Sequence, residues 1–238
     1  PIVMYDQLGC GRSSIPDDDQ LWQAATWVAE LRALRTYLDL PEIHLLGQSW
    51  GGMLAIIYGC DYRPQGIKSL ILASTLSSAR LWAQEQHRMI RLMSPVDQSA
   101  IATAERLQDF TGAAYLTANQ HFMTQHASGP ITADDPEFLR RSKRVGTTAY
   151  NVAWGPNEYN PTGTLADYEY TDRLQYLQMP TLVTSGTDDL CTPLVAKTMV
   201  DQLPHATWTL FPRSRHMAFI DENTAYMTRL RHWLAAHD

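Results

Sequence analysis

Two hydrophobic rhythms alternate along this chain. Short apolar runs bounded by turn residues predict strands, and longer stretches with an apolar residue every three or four positions predict helices. Ile2 to Tyr5 is an apolar run ending at Asp6 and predicts a buried strand. Gly9, Gly11, Ser13, Ser14 and Pro16 then predict a loop. From Leu21 to Leu40, apolar residues recur at Leu21, Ala24, Ala25, Val28, Leu31, Leu34 and Leu38, a helix with one buried face that Pro41 stops. Ile43–Leu46 predicts a strand, Gly51–Tyr58 a helix of small residues, and Ile67–Ala73 another strand. Strand and helix in strict alternation predict a parallel sheet covered by helices, an α/β fold.

The rhythm changes near Ser77. Up to Asp172 the pattern is helical, in the segments Ala79–Met93, Ala100–Phe110, Ala113–Gln125 and Pro136–Tyr150. After Pro180 the alternation resumes: strand Thr181–Ser185, helix Pro193–Gln202, strand Thr207–Phe211 and a closing helix Asn223–Ala236. The expected organisation is an α/β core from residues 1–76 and 173–238, with a helical lid at 77–172 over the carboxyl edge of the sheet, where open α/β sheets bind ligands. The resumption of the sheet pattern favours a lid over a second domain with its own core.

Composition narrows the function classes. The 238 residues are 45% hydrophobic and 18% charged, with net charge −6. A nucleic-acid binder would show a basic face; here the one basic cluster, Arg140, Arg141, Lys143 and Arg144, reads as a solvated helix face. Three cysteines, Cys10, Cys60 and Cys191, have no paired spacing, which suits a reducing, cytoplasmic compartment. No apolar run approaches the roughly 20 residues a membrane helix needs. Metal-ligand motifs and a phosphate-cradling glycine loop are missing, and His121 and His126 fall on different helix faces, so neither a metal nor a cofactor is expected.

The chemistry concentrates at Gly47-Gln48-Ser49-Trp50-Gly51-Gly52, a G-x-S-x-G motif between a strand and a helix. That context raises a serine hydroxyl on a strained turn at the edge of the sheet. Gly47 and Gly51 lack a Cβ and are expected to let backbone approach closely. The Trp50 N–H, at the helix start, is the expected oxyanion donor. Such elbows take their partners in the order serine, acid, histidine. Of eight histidines, His216 lies in a loop after a late strand and before the last helix. The acid belongs in the loop after Thr181–Ser185, where Asp188 and Asp189 both stand; composition does not separate them, since an aspartate there can also shape a turn.

Four separated stretches resemble the proline iminopeptidase family of α/β-hydrolases. They are Asp6-Gln7-Leu8-Gly9-Cys10-Gly11-Arg12-Ser13, the serine elbow with its tryptophan, Gly155-Pro156-Asn157-Glu158 followed by Thr162-Gly163-Thr164-Leu165, and Ser214-Arg215-His216-Met217. The resemblance implies an α/β-hydrolase fold and an enzyme that releases an N-terminal residue, preferably proline, from small peptides. Gly186 and Pro193 match the family's acid loop with Asp189 as the acid. The implied triad is therefore Ser49, Asp189 and His216. Glu158 matches a glutamate that holds the substrate's free amino group, and a carboxylate facing a partly desolvated ammonium makes a charge-assisted bond. Trp154 and Tyr159 flank it and are candidates to line the substrate pocket.

Two departures set expectations of their own. Leu190 stands where many members carry a second amine-binding glutamate, which leaves open a related esterase or amino-acid amidase. Members also carry an N-terminal His-Gly-Gly-Pro-Gly loop and first strands that precede the matched stretch. The chain is thus expected to be part of a longer one, and its absence from these residues leaves a catalytically silent binding protein as a further reading. The oligomeric state is not written in the sequence.

Overall fold

Four strands pair into one parallel sheet in the order β1 (Ile43–Gln48), β2 (Ile67–Ala73), β3 (Thr181–Gly186), β4 (Ala206–Phe211). This is seen in a computed structural model that describes all 238 residues. β2 and β3 are central and carry apolar side chains on both faces, as buried parallel strands do. Leu70, Leu72 and Val183 join the main apolar cluster with Met53 and Leu54 of α2 (Trp50–Ile57) and Val195 and Met199 of α8 (Pro193–Gln202). The alternate residues Ile71 and Leu182 face the other way and meet Trp233 of α10 (Asn223–His237), the two-residue period of a strand made visible. Register places the carboxyl ends together: Gln48 is opposite Ala73, and Gly186 opposite Phe211. The loops after all four strands therefore open on one edge.

Between β2 and β3 the chain forms α3 (Ala79–Ile90), α4 (Pro95–Leu107), α5 (Ala113–His126), α6 (Glu137–Arg140) and α7 (Thr147–Ala153), with no named strand. The excursion leaves and returns at one place: Ala79 N donates to Tyr168 O, Tyr170 N to Ser77 O, and Ser78 Oγ to Glu169 Oε2 at 2.6 Å. Ser78 also caps α3, accepting from Leu81 N. Tyr115 and Phe122 of α5 belong to the same continuous apolar cluster as the sheet, so the helical segment has no separate core.

Four expected elements differ. α4, expected at Ala100–Phe110, starts five residues earlier at Pro95, where the Ser94 hydroxyl caps it. Ile2–Tyr5 forms no strand; Ile2 and Met4 are exposed and no strand pairs with them, and an apolar run without ladder partners cannot become a strand. The first helix, α1 (Ala24–Tyr37), is shorter at both ends, preceded by a 3₁₀ turn at Asp19–Leu21. Pro136–Tyr150 is not one helix. The polar run after Leu139 has no apolar face to bury, and residues 141–146 lie instead along the Asp6–Ser14 loop, with Gly11 N donating to Arg144 O and the Arg144 guanidinium to Ser13 O. Of the basic cluster, Arg140 ends α6, and Arg141, Lys143 and Arg144 lie on the loop crossing rather than on a helix face.

α9 (Ala218–Asp221) is a single turn leading into α10.

Candidate active site

Ser49 joins β1 to α2 at φ 54°, ψ −121°, a backbone region that L-residues rarely adopt. Its N–H donates to Ala73 O at 2.9 Å and its carbonyl accepts from Thr75 Oγ1 at 2.7 Å, so β2 and the residues after it hold the turn. The glycines divide the work differently from the expectation. A Cβ on Gly47 would fall on the carbonyl of Gly51, and one on Gly52 would sit 2.5 Å from Thr75 Cβ, whereas a Cβ on Gly51 meets nothing within 4 Å. Close approach is needed at Gly47 and Gly52, because the helix start folds back on the strand end and on Thr75. Gly51→Ala is expected to keep the unfolding midpoint within about 1 kcal/mol of the parent, since alanine favours helix. Gly47→Ala and Gly52→Ala should each cost about 1–3 kcal/mol by overpacking. Urea unfolding of the three variants checks the order.

The loop after β3 delivers Asp189, fully buried, against His216 from the loop after β4. Asp189 Oδ1 lies 2.7 Å from His216 Nδ1 and also accepts from Cys191 N at 2.8 Å. Oδ2 accepts from Ser74 Oγ at 2.7 Å and Gly186 N at 3.0 Å. Asp188, by contrast, is exposed and contributes through its backbone, its carbonyl accepting from His126 Nδ1 at 2.9 Å. The His216 main chain is pinned on both sides: its N–H donates to His126 O at 3.1 Å, and its carbonyl accepts from Gln48 Nε2 at 3.3 Å, which ties the histidine loop to the serine elbow. Burial works against the imidazolium, but the Asp189 carboxylate and, more distantly, Glu158 outweigh it and raise the His216 pKa. The Ser49 hydroxyl takes part in no side-chain hydrogen bond and stands free for a reacting partner; catalytic contacts of this kind often tighten only with substrate bound.

Ser49 opens into a cavity of about 260 Å³ lined mainly by apolar side chains. Trp50, Trp154 and Glu158 line it. Tyr159 does not; it is fully buried on the far side, with its hydroxyl donating to Asn119 Oδ1 at 3.1 Å and its ring edge-on to Phe122. The turn at Asn157, whose Oδ1 accepts from Tyr159 N, sends residues 158 and 159 to opposite sides. Glu158 Oε1 accepts from the Tyr150 hydroxyl at 3.0 Å, and the Glu158 carbonyl accepts from Trp82 Nε1 at 2.7 Å and Trp154 Nε1 at 3.4 Å. Burial raises the Glu158 pKa, partly offset by His216 and the Tyr150 hydrogen bond. Burial and the adjacent carboxylate also raise the Tyr150 pKa, which keeps that hydroxyl a donor.

Several residues here escaped sequence reasoning. Gln7 lies in a stretch already singled out, yet its role is tertiary: its Oε1 accepts from Trp50 Nε1 at 2.9 Å and fixes that indole in the cavity wall. Trp82 carried no signal distinguishable from a core tryptophan of α3, and Tyr150 lay at the end of a misjudged helix. Ser74, at φ 47°, follows β2 and carries no sequence signal of its contact with the Asp189 carboxylate. Leu190 is buried beside the acid, with its carbonyl accepting from Gln86 Nε2 at 2.7 Å. No group of three or more histidine, cysteine or acidic residues is placed to hold a metal, and no helix is long and apolar enough to cross a membrane.

Comparison with known proteins adds to this geometry. Residues 1–223 match a family model described as the alpha/beta hydrolase fold. All 238 residues align with the proline iminopeptidase of Levilactobacillus brevis at 74% identity, spanning 80% of that protein. They align with the proline iminopeptidase of Lactobacillus helveticus at 58% identity, spanning 81% of it. Among solved structures, VinJ superposes with TM-score 0.89 and 28% identity, over 98% of this chain and 80% of that one. The proline iminopeptidase of Mycobacterium smegmatis gives 0.85 and 28%, over 98% and 79%.

Proposed function

We infer from its membership of the α/β-hydrolase fold and, within it, of the proline iminopeptidases, the family to which this chain belongs, that it is a serine aminopeptidase releasing an N-terminal proline from small peptides. Ser49 Oγ attacks the carbonyl carbon of the first residue while His216 Nε2 takes the hydroxyl proton. Asp189 holds the imidazole through Nδ1 in the tautomer that leaves Nε2 free to accept. The oxyanion faces the Trp50 N–H, which at the start of α2 has no carbonyl of its own helix to bond. Collapse breaks the peptide bond, and His216 returns the proton to the departing amine. Water, activated by the same histidine, then releases proline from the acyl-enzyme and restores Ser49. No cofactor enters any step.

The observation that carries the exopeptidase reading is Glu158, a carboxylate in the Ser49 cavity whose Oε1 is oriented by Tyr150. In a cavity lined mostly by tryptophan and aliphatic carbon, one carboxylate is the natural partner for one substrate ammonium. Small peptides with a free amino terminus are the substrate class this supports.

Glu158→Gln is expected to weaken the transition state for a prolyl amide by about 2–5 kcal/mol, the range for removing one partner of a buried charge pair. A simple acyl ester, which has no amine, should be spared. Comparing kcat/KM on the two substrates tests the assignment, and equal losses would give Glu158 a structural role only. Leu190, apolar and buried directly after Asp189, favours a second reading, an esterase or amino-acid amidase of the same fold. Preference of the parent enzyme for the acyl ester over the prolyl amide would decide for that reading.

A further inference from the structure

The indole of Trp82 is almost fully buried on α3, yet it touches both parts of the chemistry. Its Nε1–H donates to the Glu158 carbonyl at 2.7 Å. Its ring meets the His216 imidazole with centroids 6.2 Å apart at 70°, and meets Trp154 at 6.4 Å and 87°. One turn along the same helix, Gln86 Nε2 donates to Leu190 O and Glu85 Oε2 accepts from Thr192 Oγ1, so this face of α3 also grips the loop that presents Asp189. Positions 82, 85 and 86 share a face by the spacing of a helix.

We propose that Trp82 is a positioning residue for the reaction, its indole N–H holding the Glu158 backbone and its ring holding the His216 imidazole, so that one side chain sets the distance between the amine anchor and the base. The inference rests on the reading of Glu158 as that anchor.

The physical case has two halves. Glu158 follows a turn, and its carboxylate reaches the cavity only while its peptide unit keeps its orientation. Trp82 supplies the shorter of the two bonds on that carbonyl, since Trp154 Nε1 stands at 3.4 Å. On the other side, Asp189 fixes one ring nitrogen of His216 but leaves the ring able to swing about that bond. A near-perpendicular aromatic neighbour is a favoured packing for such pairs and closes off the swing. A first residue docked on Glu158 then brings its carbonyl to a nucleophile and base already in register, the positioning on which intramolecular rate gains depend.

Trp82→Phe separates the halves, because it keeps an aromatic ring and deletes the N–H. Its kcat/KM on a prolyl amide is expected to fall by up to about tenfold, the value of one hydrogen bond, chiefly through KM. Its kcat/KM on an acyl ester without an amine should fall by less, so that the ratio of amide to ester activity drops several-fold. A loss shared equally by amide and ester, or no loss on the amide, overturns the proposal. Trp82→Leu, which also removes the ring, should lower kcat on the ester as well; an unchanged ester kcat overturns the histidine half. Glu158→Gln is assayed alongside. If it fails to discriminate amide from ester, the anchor reading falls and this inference with it. If it discriminates and Trp82→Phe does not, the inference falls alone.

Discussion

Replacing Ser49 with alanine is expected to lower turnover by up to about 10⁶-fold while leaving the fold intact, because nucleophile, base and acid act as a unit and the residue of catalysis that survives comes from binding and oxyanion contacts. The structure separates the chemical loss from any structural one. The turn is held by backbone and by Thr75: Ser49 N on Ala73 O, and Thr75 Oγ1 on Ser49 O. The hydroxyl itself contributes no hydrogen bond, so its deletion breaks no contact. Alanine carries the same Cβ and meets the same strain at φ 54°. The unfolding midpoint should therefore move by no more than about 0.5 kcal/mol, the range for changes that touch nothing. Steady-state turnover of a prolyl amide by a preparation free of parent enzyme is the measurement. Retention of most of the activity would remove Ser49 from the mechanism.

That the elbow was legible has a local cause. The signals for β1 and α2 are each a few residues long, and the glycines between them punctuate the change of period. For the same reason the expected bounds of β2 at Ile67–Ala73 and of α8 at Pro193–Gln202 match the observed ones, and in the structure Thr192 caps the latter with Pro193 in its first turn. What failed was whatever depended on a partner distant in sequence. Ile2–Tyr5 has the composition of a strand but no neighbour to pair with. The stretch 141–146 has residues that suit a helix but is committed to the Asp6–Ser14 loop through Arg144 and Gly146. Gly51 holds the motif position and Gly52 lies beyond it, and only the position of Thr75 shows that it is Gly52 that cannot carry a side chain.

The cavity was the least legible part for the same reason taken further. Its wall combines Gln7 and Leu8 from before α1, Trp50 from the elbow, Trp82 from α3 and Tyr150 from α7. Apart from the adjacent Gln7 and Leu8, none of these residues is near another in the chain, and each alone looks like ordinary core or loop. Tyr159 shows the converse: adjacent in sequence to Glu158, it is turned away by the Asn157 bond and packs among the helices.

The two aspartates that composition could not rank are separated by where their side chains point, and this yields the second large effect. Asp189→Asn is expected to lower turnover by about 10⁴-fold, and Asp188→Asn by far less. All four groups around the Asp189 carboxylate are hydrogen-bond donors to it: His216 Nδ1 and Cys191 N on Oδ1, Ser74 Oγ and Gly186 N on Oδ2. An asparagine offers one oxygen and one NH₂ to the same four. If the NH₂ faces His216, Nδ1 must become the acceptor, the proton moves to Nε2, and the ring can no longer take the Ser49 proton. If the NH₂ faces the other way, His216 keeps its tautomer but loses the charge that stabilises the imidazolium, and Gly186 N–H is left against a second donor. Either orientation strands one buried backbone N–H, of Cys191 or of Gly186, at about 1–3 kcal/mol of stability. Asp188 has no such burden. Its side chain is exposed, and its structural contacts, N–H to Ser214 O and carbonyl from His126, survive any change of side chain. Turnover and urea midpoints of the two variants, measured side by side, check both claims. A larger loss of turnover in Asp188→Asn than in Asp189→Asn would show that the acid of this site is the wrong one of the pair.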